Sequence, residues 1–565
     1  MIPWAMLASA GPLLAVSLLP IAGSVGGELP EAAVDLAASF TRMLLAYLLA
    51  LGFCLIYGYY AATHRPAERV LIPVLDVLQS IPILGFFPIA LVVFVGLTGP
   101  HSLVGPNLAS IFLIFTSMAW NMVFGVYESI KSMPQELREA ADSFGVRGLQ
   151  RLRTVVFPAT VNRLVYNSIL SWTAGWYFLV AAEIISVSNQ TTVLPGIGSF
   201  LLTAAGSHNE SALLTGLGLL IVLIALLDLA LWRPLIRWAE RFRYDQSPSG
   251  STEGAVYRRA GGQPLRRAAV VVVRYVRTGV TRVSTPIVAL SSSITERARR
   301  GREPGFGRTA AKTVALGTVL TLSWLLLITL GVAVYGVFHE PITGPVHNDL
   351  LSLPEALGLS FGRVVLAYLL SLAIAFPLAL AVTRRTAAGG AGLSLIEIVA
   401  SVPATALFPL FIFALLPYLG FQGAAILMLT TGMLWYLFFN LLSGLRSIPP
   451  DLKEAARSFG LRRREYYRRL LLPAVFPAFV TGSITAFGGG WNTLVIAEYL
   501  HYSPTQHFQV LGLGELINVG IQLQNGTGLP LMVAALLVMV LTVVALNELL
   551  WKPLYRRASD RYRID

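Results

Sequence analysis

The chain has 565 residues, of which 55% are apolar and only 13% charged, and its mean hydropathy is +0.69. A soluble protein carries about 25% charged residues, so this composition excludes an ordinary set of soluble domains. The single cysteine, Cys54, excludes a disulfide framework, and the seven histidines show no spacing typical of a zinc site. Long apolar stretches exceed the roughly 20 residues that cross a bilayer as a helix, which predicts an all-α polytopic membrane protein.

Apolar windows bounded by proline, glycine and charge predict twelve membrane-spanning helices. The first six are expected at about 4–22, 40–61, 70–97, 107–127, 158–187 and 211–238. The second six are expected at about 311–338, 360–383, 393–417, 422–445, 474–499 and 528–550. With the N-terminus inside, the outside loops, beginning with 22–39, contain no Lys or Arg, so both termini are predicted to be cytoplasmic. The first span could also be a signal peptide, but it lacks a basic start and its removal would leave an odd number of crossings.

The net charge of +13 is concentrated in one segment, because thirteen basic residues face three acidic ones between Gln246 and Lys312. A basic segment between membrane spans is typical of contact with anionic lipids, so membrane lipids rather than nucleic acid are the expected partners. Residues 246–308 are predicted to be a basic cytoplasmic linker between two repeats, 1–245 and 309–565. From 266 to 282 the arginines approximate one stripe of an amphipathic helix, and a flexible tether is an equally open alternative.

The chain contains an internal duplication. FTRMLLAYLLAL from Phe40 agrees with FGRVVLAYLLSL from Phe361 at eight of twelve positions, 321 residues apart. PQELREAADSFG from Pro134 agrees with PPDLKEAARSFG from Pro449 at eight of twelve, 315 residues apart. Since each copy has six predicted spans, both enter the membrane in the same direction and can form a parallel pseudo-dimer.

A motif recurs in the inside loop between the fourth and fifth spans of each copy, at about 130–157 and 446–472. Glu-Ala-Ala reads as a short helix that starts near a proline and ends at a glycine in a left-handed turn. The small alanines leave a face that a partner can approach closely. Two amphipathic connectors on the inner membrane surface are the alternative, which repetition at fixed register disfavours. The residues are Glu139, Ala140, Ala141 and Gly145, and Glu454, Ala455, Ala456 and Gly460.

These loops resemble those of the permease subunits of binding-protein-dependent ABC importers, in which Glu-Ala-Ala, three residues, Gly and nine residues precede an aliphatic-x-Leu-Pro pattern. Val155 and Leu470 occupy the aliphatic position, whereas Phe157 departs from the leucine. The proline turns of the third spans and the arginine that opens each second span look like the nitrate, sulfonate, taurine and bicarbonate branch. The resemblance covers about 40–240 and 360–557.

The resemblance implies a type I importer fold in which two fused halves enclose a pathway for a small solute, expected to be an anion. Each loop helix would dock as a coupling helix on one of two cytoplasmic ABC ATPase subunits, and an extracytoplasmic solute-binding protein would deliver the solute. The chain has no GxxxxGK[ST] motif, so ATP and Mg are expected on the partners, with no cofactor, metal or catalytic residue here. The implied location is the cytoplasmic (inner) membrane of a prokaryote.

Two other classes of transporter stay open at this point. An ion-coupled secondary transporter also uses repeats and broken helices, but no span shows a clear chain of Asp, Glu or His at the membrane midplane. A channel is the third class. Neither class needs the paired inside loops.

Candidate pathway residues lie beside the breaks that prolines introduce in the third spans, where exposed carbonyls are tolerated mainly against protein or a water-filled cavity. Neighbouring hydroxyls and amides could bond a solute, or they could bond their own backbone. Repeated tryptophans are candidates for packing or for a gate. The residues are Gln79, Ser80, Pro82, Trp176, Ser401, Pro403, Thr405, Trp491 and Asn492.

Arg42 and Arg363 are predicted about one turn inside the outer ends of the second spans, where an unpaired charge is costly. They could attract an anion, snorkel to the surface, or pair with an acid. Glu183 and Glu498 are expected at the same depth near the ends of the fifth spans. We therefore expect a structural Arg–Glu pair in each half.

Overall fold

The computed structural model describes residues 2–80, 82–99, 102–146, 148–188, 194–242, 344–384, 396, 399–503, 506–522 and 528–562. The predicted linker, with its arginine stripe at 266–282, and the predicted span 311–338 lie outside the described residues. The bounds of the three predicted domains, 1–245, 246–308 and 309–565, stay predictions.

Within its described residues, the first half consists of helices joined by short turns. Its helices are α1 (Ile2–Thr63), α2 (Arg65–Ser80), α3 (Ile83–Thr98), α4 (Val104–Lys131), α5 (Gln135–Ser143), α6 (Gly148–Arg151), α7 (Phe157–Ser188), α8 (Ile197–Gly206), α9 (Glu210–Leu227) and α10 (Arg233–Ala239). Two π-helical segments and a 3-10 turn continue these helices, at Leu152–Val156, Asp228–Trp232 and Glu240–Phe242.

The second half repeats this order. Its helices are α11 (Gly344–Leu351), α12 (Leu353–Arg384), α13 (Phe408–Ser447), α14 (Pro450–Ser458), α15 (Arg463–Tyr466), α16 (Leu472–Ala497), α17 (Leu513–Gln522), α18 (Leu529–Leu546) and α19 (Lys552–Tyr562). A 3-10 turn at Ala404–Leu407 precedes α13. Two π-helical segments recur, at Tyr467–Leu471 and Asn547–Trp551. The second half also contains the antiparallel strands β1 (Tyr499–Ser503) and β2 (Gln506–Gln509), which form a hairpin at a predicted outside loop.

Eight helices in the described part of the chain are long and apolar enough to cross a membrane. The predicted all-α polytopic class is therefore confirmed. The predicted connection between the ninth and tenth spans is also present, because α13 turns at Gly420 (φ 65°) within the predicted loop 418–421. Gly99 (φ 90°) turns the chain at the corresponding position of the first half.

The prediction of a loop at 22–39 is wrong, because α1 continues through these residues as one helix. Polar residues do not by themselves end a helix, and Glu31, Ala32 and Ala33 are good helix formers. Tertiary contacts also support the helix here, since Ala32 and Leu36 are buried.

The core of each half is a stack of three long helices. In the first half α4 packs between α1 and α7, and in the second half α13 packs between α12 and α16. Small residues such as Ala46 and Ala50 are fully buried on α1, which lets neighbouring helices approach closely. Leucines such as Leu48 and Leu49 face outward on the same helix, as expected beside lipid. The candidate site residues lie on α1, α5 and α7, at the break between α2 and α3, and at the corresponding places of the second half.

Candidate functional site

The repeated Glu-Ala-Ala segment forms the short helix α5, and the predicted turn at its end is confirmed. Pro134 precedes the helix with extended backbone (φ −53°, ψ 141°), and Gly145 ends it in the left-handed region with φ 65°. The Val146 amide donates to the Ala141 carbonyl at 2.9 Å, the hydrogen bond of a Schellman turn.

Helix α14 repeats this geometry in the second half. Pro449 precedes it with φ −56° and ψ 142°, and Gly460 has φ 62°. The Leu461 amide donates to the Ala456 carbonyl at 3.1 Å.

The two alanines of each motif have different environments. Ala141 and Ala456 are buried within the permease, whereas Ala140 is exposed and Ala455 is half-buried. Successive residues of a helix point about 100° apart, so neighbouring alanines cannot share one face. The buried methyl group lets each short helix lie close to the body of the protein.

The outer surface of each short helix instead carries an acid and an aromatic ring. Glu139 and Glu454 are exposed. Phe144 and Phe459, which the sequence analysis did not select, are 85% and 82% exposed. An aromatic side chain so fully exposed at the same position of both halves is unusual in a monomer and typical of an interface anchor.

Basic side chains attach α5 to the end of α4. The Arg138 guanidinium donates to the carbonyls of Ile130 at 2.5 Å and of Lys131 at 3.0 Å, where a helix C-terminus favours a cation. The Lys131 ammonium also donates to Glu68 at 2.5 Å. Hydrogen bonds from Lys131 and Tyr127 hold the pKa of Glu68 below its ordinary value. These contacts connect α5 to the end of α4, and through Lys131 to α2.

The predicted Arg42–Glu183 pair is present and buried in the first half. Arg42 Nη1 lies 2.6 Å from Glu183 Oε1, and the arginine is 5% exposed. Its Nε donates to Asn107 Oδ1 at 2.6 Å, and its Nη2 donates to the Pro195 carbonyl at 2.5 Å. The Ser39 hydroxyl also donates to Glu183, at 2.7 Å.

The same network recurs in the second half. Arg363 Nη1 lies 2.5 Å from Glu498 Oε1, and the arginine is 4% exposed. Its Nε donates to Gln422 at 2.7 Å and its Nη2 to the Leu511 carbonyl at 2.7 Å. Ser360 donates to both Glu498 oxygens, at 2.7 and 3.0 Å.

Glycines bring the following loop against each buried carboxylate. The amide of Gly198 donates to Glu183 at 2.8 Å, and that of Gly514 donates to Glu498 at 2.8 Å. A Cβ added at Gly196 would lie 2.3 Å from the Glu183 carboxyl carbon. Each Arg–Glu pair therefore joins the second, fourth and fifth spans to the loop after the fifth span. Because each guanidinium is buried and uses Nε, Nη1 and Nη2 on protein acceptors, this geometry supports a structural role rather than anion contact.

The proline breaks predicted in the third spans are present. Helix α2 ends at Ser80 and α3 begins at Ile83, with Pro82 between them at φ −59° and ψ 116°. Pro403 has φ −61° and ψ 129° and precedes the 3-10 turn of the second half.

The polar residues near these breaks have different environments. Gln79 is exposed and Ser401 is half-buried, and the Ser80 side chain lies outside the described ones. Thr405 is buried.

Each break contacts the fifth span of the other half. The Leu84 amide, two residues after Pro82, donates to Asn492 Oδ1 at 3.3 Å. The Thr405 hydroxyl donates to the Tyr177 carbonyl at 3.0 Å. The preceding tryptophans, Trp176 and Trp491, are buried, and their ring N–H groups have no hydrogen-bond partner among the described residues. These two rings therefore fill the protein interior, as core packing predicts.

Comparison with known proteins identifies the family. The model for the inner membrane component of binding-protein-dependent transport systems matches residues 54–232 and 351–559. The taurine transport system permease protein of Escherichia coli (strain K12) is 27% identical over 225 residues, 39% of this chain and 76% of that one. The nitrate import permease protein of Synechococcus elongatus is 26% identical over 218 residues, 38% of this chain and 71% of that one. The bicarbonate transport system permease protein of the same organism is 25% identical over 205 residues, 36% and 67% of the two chains.

The resemblance stated from the two inside loops is confirmed by these matches. The two matched segments correspond to the two halves of the internal duplication, so the two copies are fused in one polypeptide. This chain belongs to the family of inner membrane components of binding-protein-dependent transport systems.

Proposed function

We propose that this chain is the membrane-spanning permease of an ATP-driven ABC importer and encloses the pathway for a small anion. Two cytoplasmic ATPase subunits bind α5 and α14, and their closure on ATP moves the two halves. A solute-binding protein delivers the anion at the outer face. The linker and the C-terminus lie on the cytoplasmic side together with both short helices, where ATP is available.

The observation that carries this proposal is the pair of exposed phenylalanines, Phe144 and Phe459, at the ends of α5 and α14. A fully exposed aromatic ring is costly in water and stabilising in a partner's apolar pocket. The adjacent acids, Glu139 and Glu454, supply charge at the rim of the same surface. Because the two halves carry these residues at equivalent positions, the two surfaces fit two copies of one kind of partner.

The class of solute rests on relatives whose names specify taurine, nitrate and bicarbonate. These solutes carry a sulfonate, a nitrate or a bicarbonate group, so a small oxyanion is the shared chemistry. The buried arginines are not the proposed binding groups, because protein acceptors already surround both of them.

Reconstitution with the ATPase and binding protein from the same genomic neighbourhood tests the proposal. We expect ATP-dependent uptake of nitrate, bicarbonate or taurine into proteoliposomes. We expect Phe144→Ser with Phe459→Ser to weaken co-purification of the ATPase at least tenfold, since loss of a buried aromatic anchor costs about 2 kcal/mol or more.

Tyr418→Ser is the matched control, because Tyr418 is also 85% exposed but lies in the turn predicted at the outer face. Its ATPase binding should equal that of the wild type. Uptake driven by an ion gradient without ATP would favour a secondary transporter instead. Unchanged ATPase binding by the double phenylalanine variant would contradict the proposed docking surface.

A further inference from the structure

The fifth spans of the two halves meet each other at neighbouring equivalent positions. Tyr177 on α7 corresponds to Asn492 on α16, and Phe178 corresponds to Thr493, 315 residues apart. The Tyr177 phenol oxygen lies 2.7 Å from Thr493 Oγ1, and either atom can donate. In two copies related by a pseudo-twofold axis, residues at matching positions touch each other only close to that axis.

The contacts around this pair also cross between the halves. Leu84 and Thr405 correspond, 321 residues apart, and each bonds the fifth span of the other half. The proline breaks and the two fifth spans therefore surround one point between the halves. A solute that passes between the halves must pass this point.

The two halves differ in sequence where they touch. GWYFLVAAE from Gly175 and GWNTLVIAE from Gly490 agree at six of nine positions, and two of the three differences are the adjacent pairs Tyr177/Asn492 and Phe178/Thr493. Tyr177 and Asn492 are half-buried, whereas the identical Trp176 and Trp491 beside them are buried. Within these nine residues, two of the three sequence differences therefore lie where the halves touch.

We propose that Tyr177 and Thr493 form the gate of the translocation pathway, so that their hydrogen bond breaks each time a solute passes. This proposal rests on the proposed function. When the halves separate, the phenol, the Thr493 hydroxyl and the Asn492 amide present neutral hydrogen-bond donors to the solute. Neutral donors suit a small oxyanion that must bind briefly and leave, because they attract it without a fixed opposite charge.

The test measures ATP hydrolysis by the reconstituted permease–ATPase complex without its solute-binding protein. Tyr177→Phe keeps the ring but removes the hydroxyl, and Thr493→Val keeps the shape of the threonine. Each should raise basal hydrolysis about fivefold, the change in the closed-to-open ratio expected for the net loss of one hydrogen bond. The double variant should show the same rise as each single one, because one shared interaction is lost only once.

Tyr368→Phe is the matched control. The Tyr368 hydroxyl lies 2.7 Å from Ser483 Oγ, but both residues belong to the second half. Its basal hydrolysis should stay at the wild-type rate. Wild-type hydrolysis in Tyr177→Phe, additive effects of the two gate variants, or an equal rise in Tyr368→Phe would each overturn the gate.

A second measurement separates the gate from the proposed function. Nitrate leak is followed in vesicles that contain the permease without ATPase. Tyr177→Ala should leak at least tenfold faster than Tyr368→Ala, and equal rates would overturn the gate even if the wild-type complex imports its solute. Absence of ATP-dependent uptake by the wild type would overturn the proposed function and leave this leak comparison as the test of the gate.

Discussion

The side chains of Arg42 and Glu183 form a buried ion pair, with Nη1 2.6 Å from Oε1, at the point where the second and fifth spans of the first half meet the following loop. Arg363 and Glu498 repeat the pair in the second half at 2.5 Å. In an apolar environment neither charge is tolerated alone, which makes the pair a strong determinant of how these segments pack.

Glu183→Gln should destabilise the protein by about 3–5 kcal/mol, because it leaves the buried Arg42 charge uncompensated. Replacing both residues, as in Arg42→Met with Glu183→Leu, should cost less than the single change. SDS-induced unfolding in mixed micelles measures the difference. Glu128→Gln is the control, since its 3.2 Å pair with Arg163 is largely exposed and is worth at most about 1 kcal/mol. A larger loss for the double variant than for Glu183→Gln would contradict the pairing argument.

Gly196→Ala should also destabilise the first half, because the added Cβ would lie 2.3 Å from the Glu183 carboxyl carbon. Overpacking of this kind costs about 1–3 kcal/mol. The same unfolding assay applies. Gly52→Ala on α1 is the control, because a Cβ added at Gly52 would have no neighbouring atom within 4 Å. Equal stability of the two variants would show that the loop can move away from the carboxylate.

Gly145→Ala and Gly460→Ala should loosen the ends of α5 and α14, because their φ angles of 65° and 62° are unfavourable for alanine. The strain is about 1–2 kcal/mol at each site. Hydrogen exchange of the amides that close the Schellman turns, Val146 and Leu461, should become faster. Gly362→Ala, with no atom within 4 Å of its added Cβ, should leave both amides unchanged.

Acidification should weaken the contact that Glu68 of α2 makes with Tyr127 and Lys131 at the end of α4. Because the Lys131 and Tyr127 hydrogen bonds lower the pKa of Glu68, its contribution is present above its ordinary pKa and is lost as the pH falls through the lowered value. The thermal midpoint of the wild type should therefore exceed that of Glu68→Gln near neutral pH, and the difference should shrink as the pH falls through this acidic range. Parallel pH profiles of the wild type and Glu68→Gln would contradict the prediction.

The duplication made much of the site predictable from sequence. Equal spacing fixed the register of both Gly-ended helices and of both Arg–Glu pairs, and the structure has them. The same offsets also pair Ser39 with Ser360 and Asn107 with Gln422, so a signal for the remaining members of the network was present. Neutral polar side chains occur both at the membrane surface and inside the protein, so the residue type alone does not place these four residues in the network.

Other features depend on tertiary packing and leave no local pattern. The continuous helix through 22–39 is stabilised by burial of Ala32 and Leu36, which polarity along the chain does not reveal. The Tyr177–Thr493 contact joins positions that differ between the copies, so a search for repeated residues passes over it.

The covalent fusion of the copies has an evolutionary consequence at the Tyr177–Thr493 contact. In a pair of identical subunits encoded by one gene, any mutation appears on both sides of the symmetry axis, so a bulky ring would be present twice at the contact. A fused gene can place a large side chain on one side and a small one on the other. Selection can then adjust the fit between unlike neighbours one codon at a time.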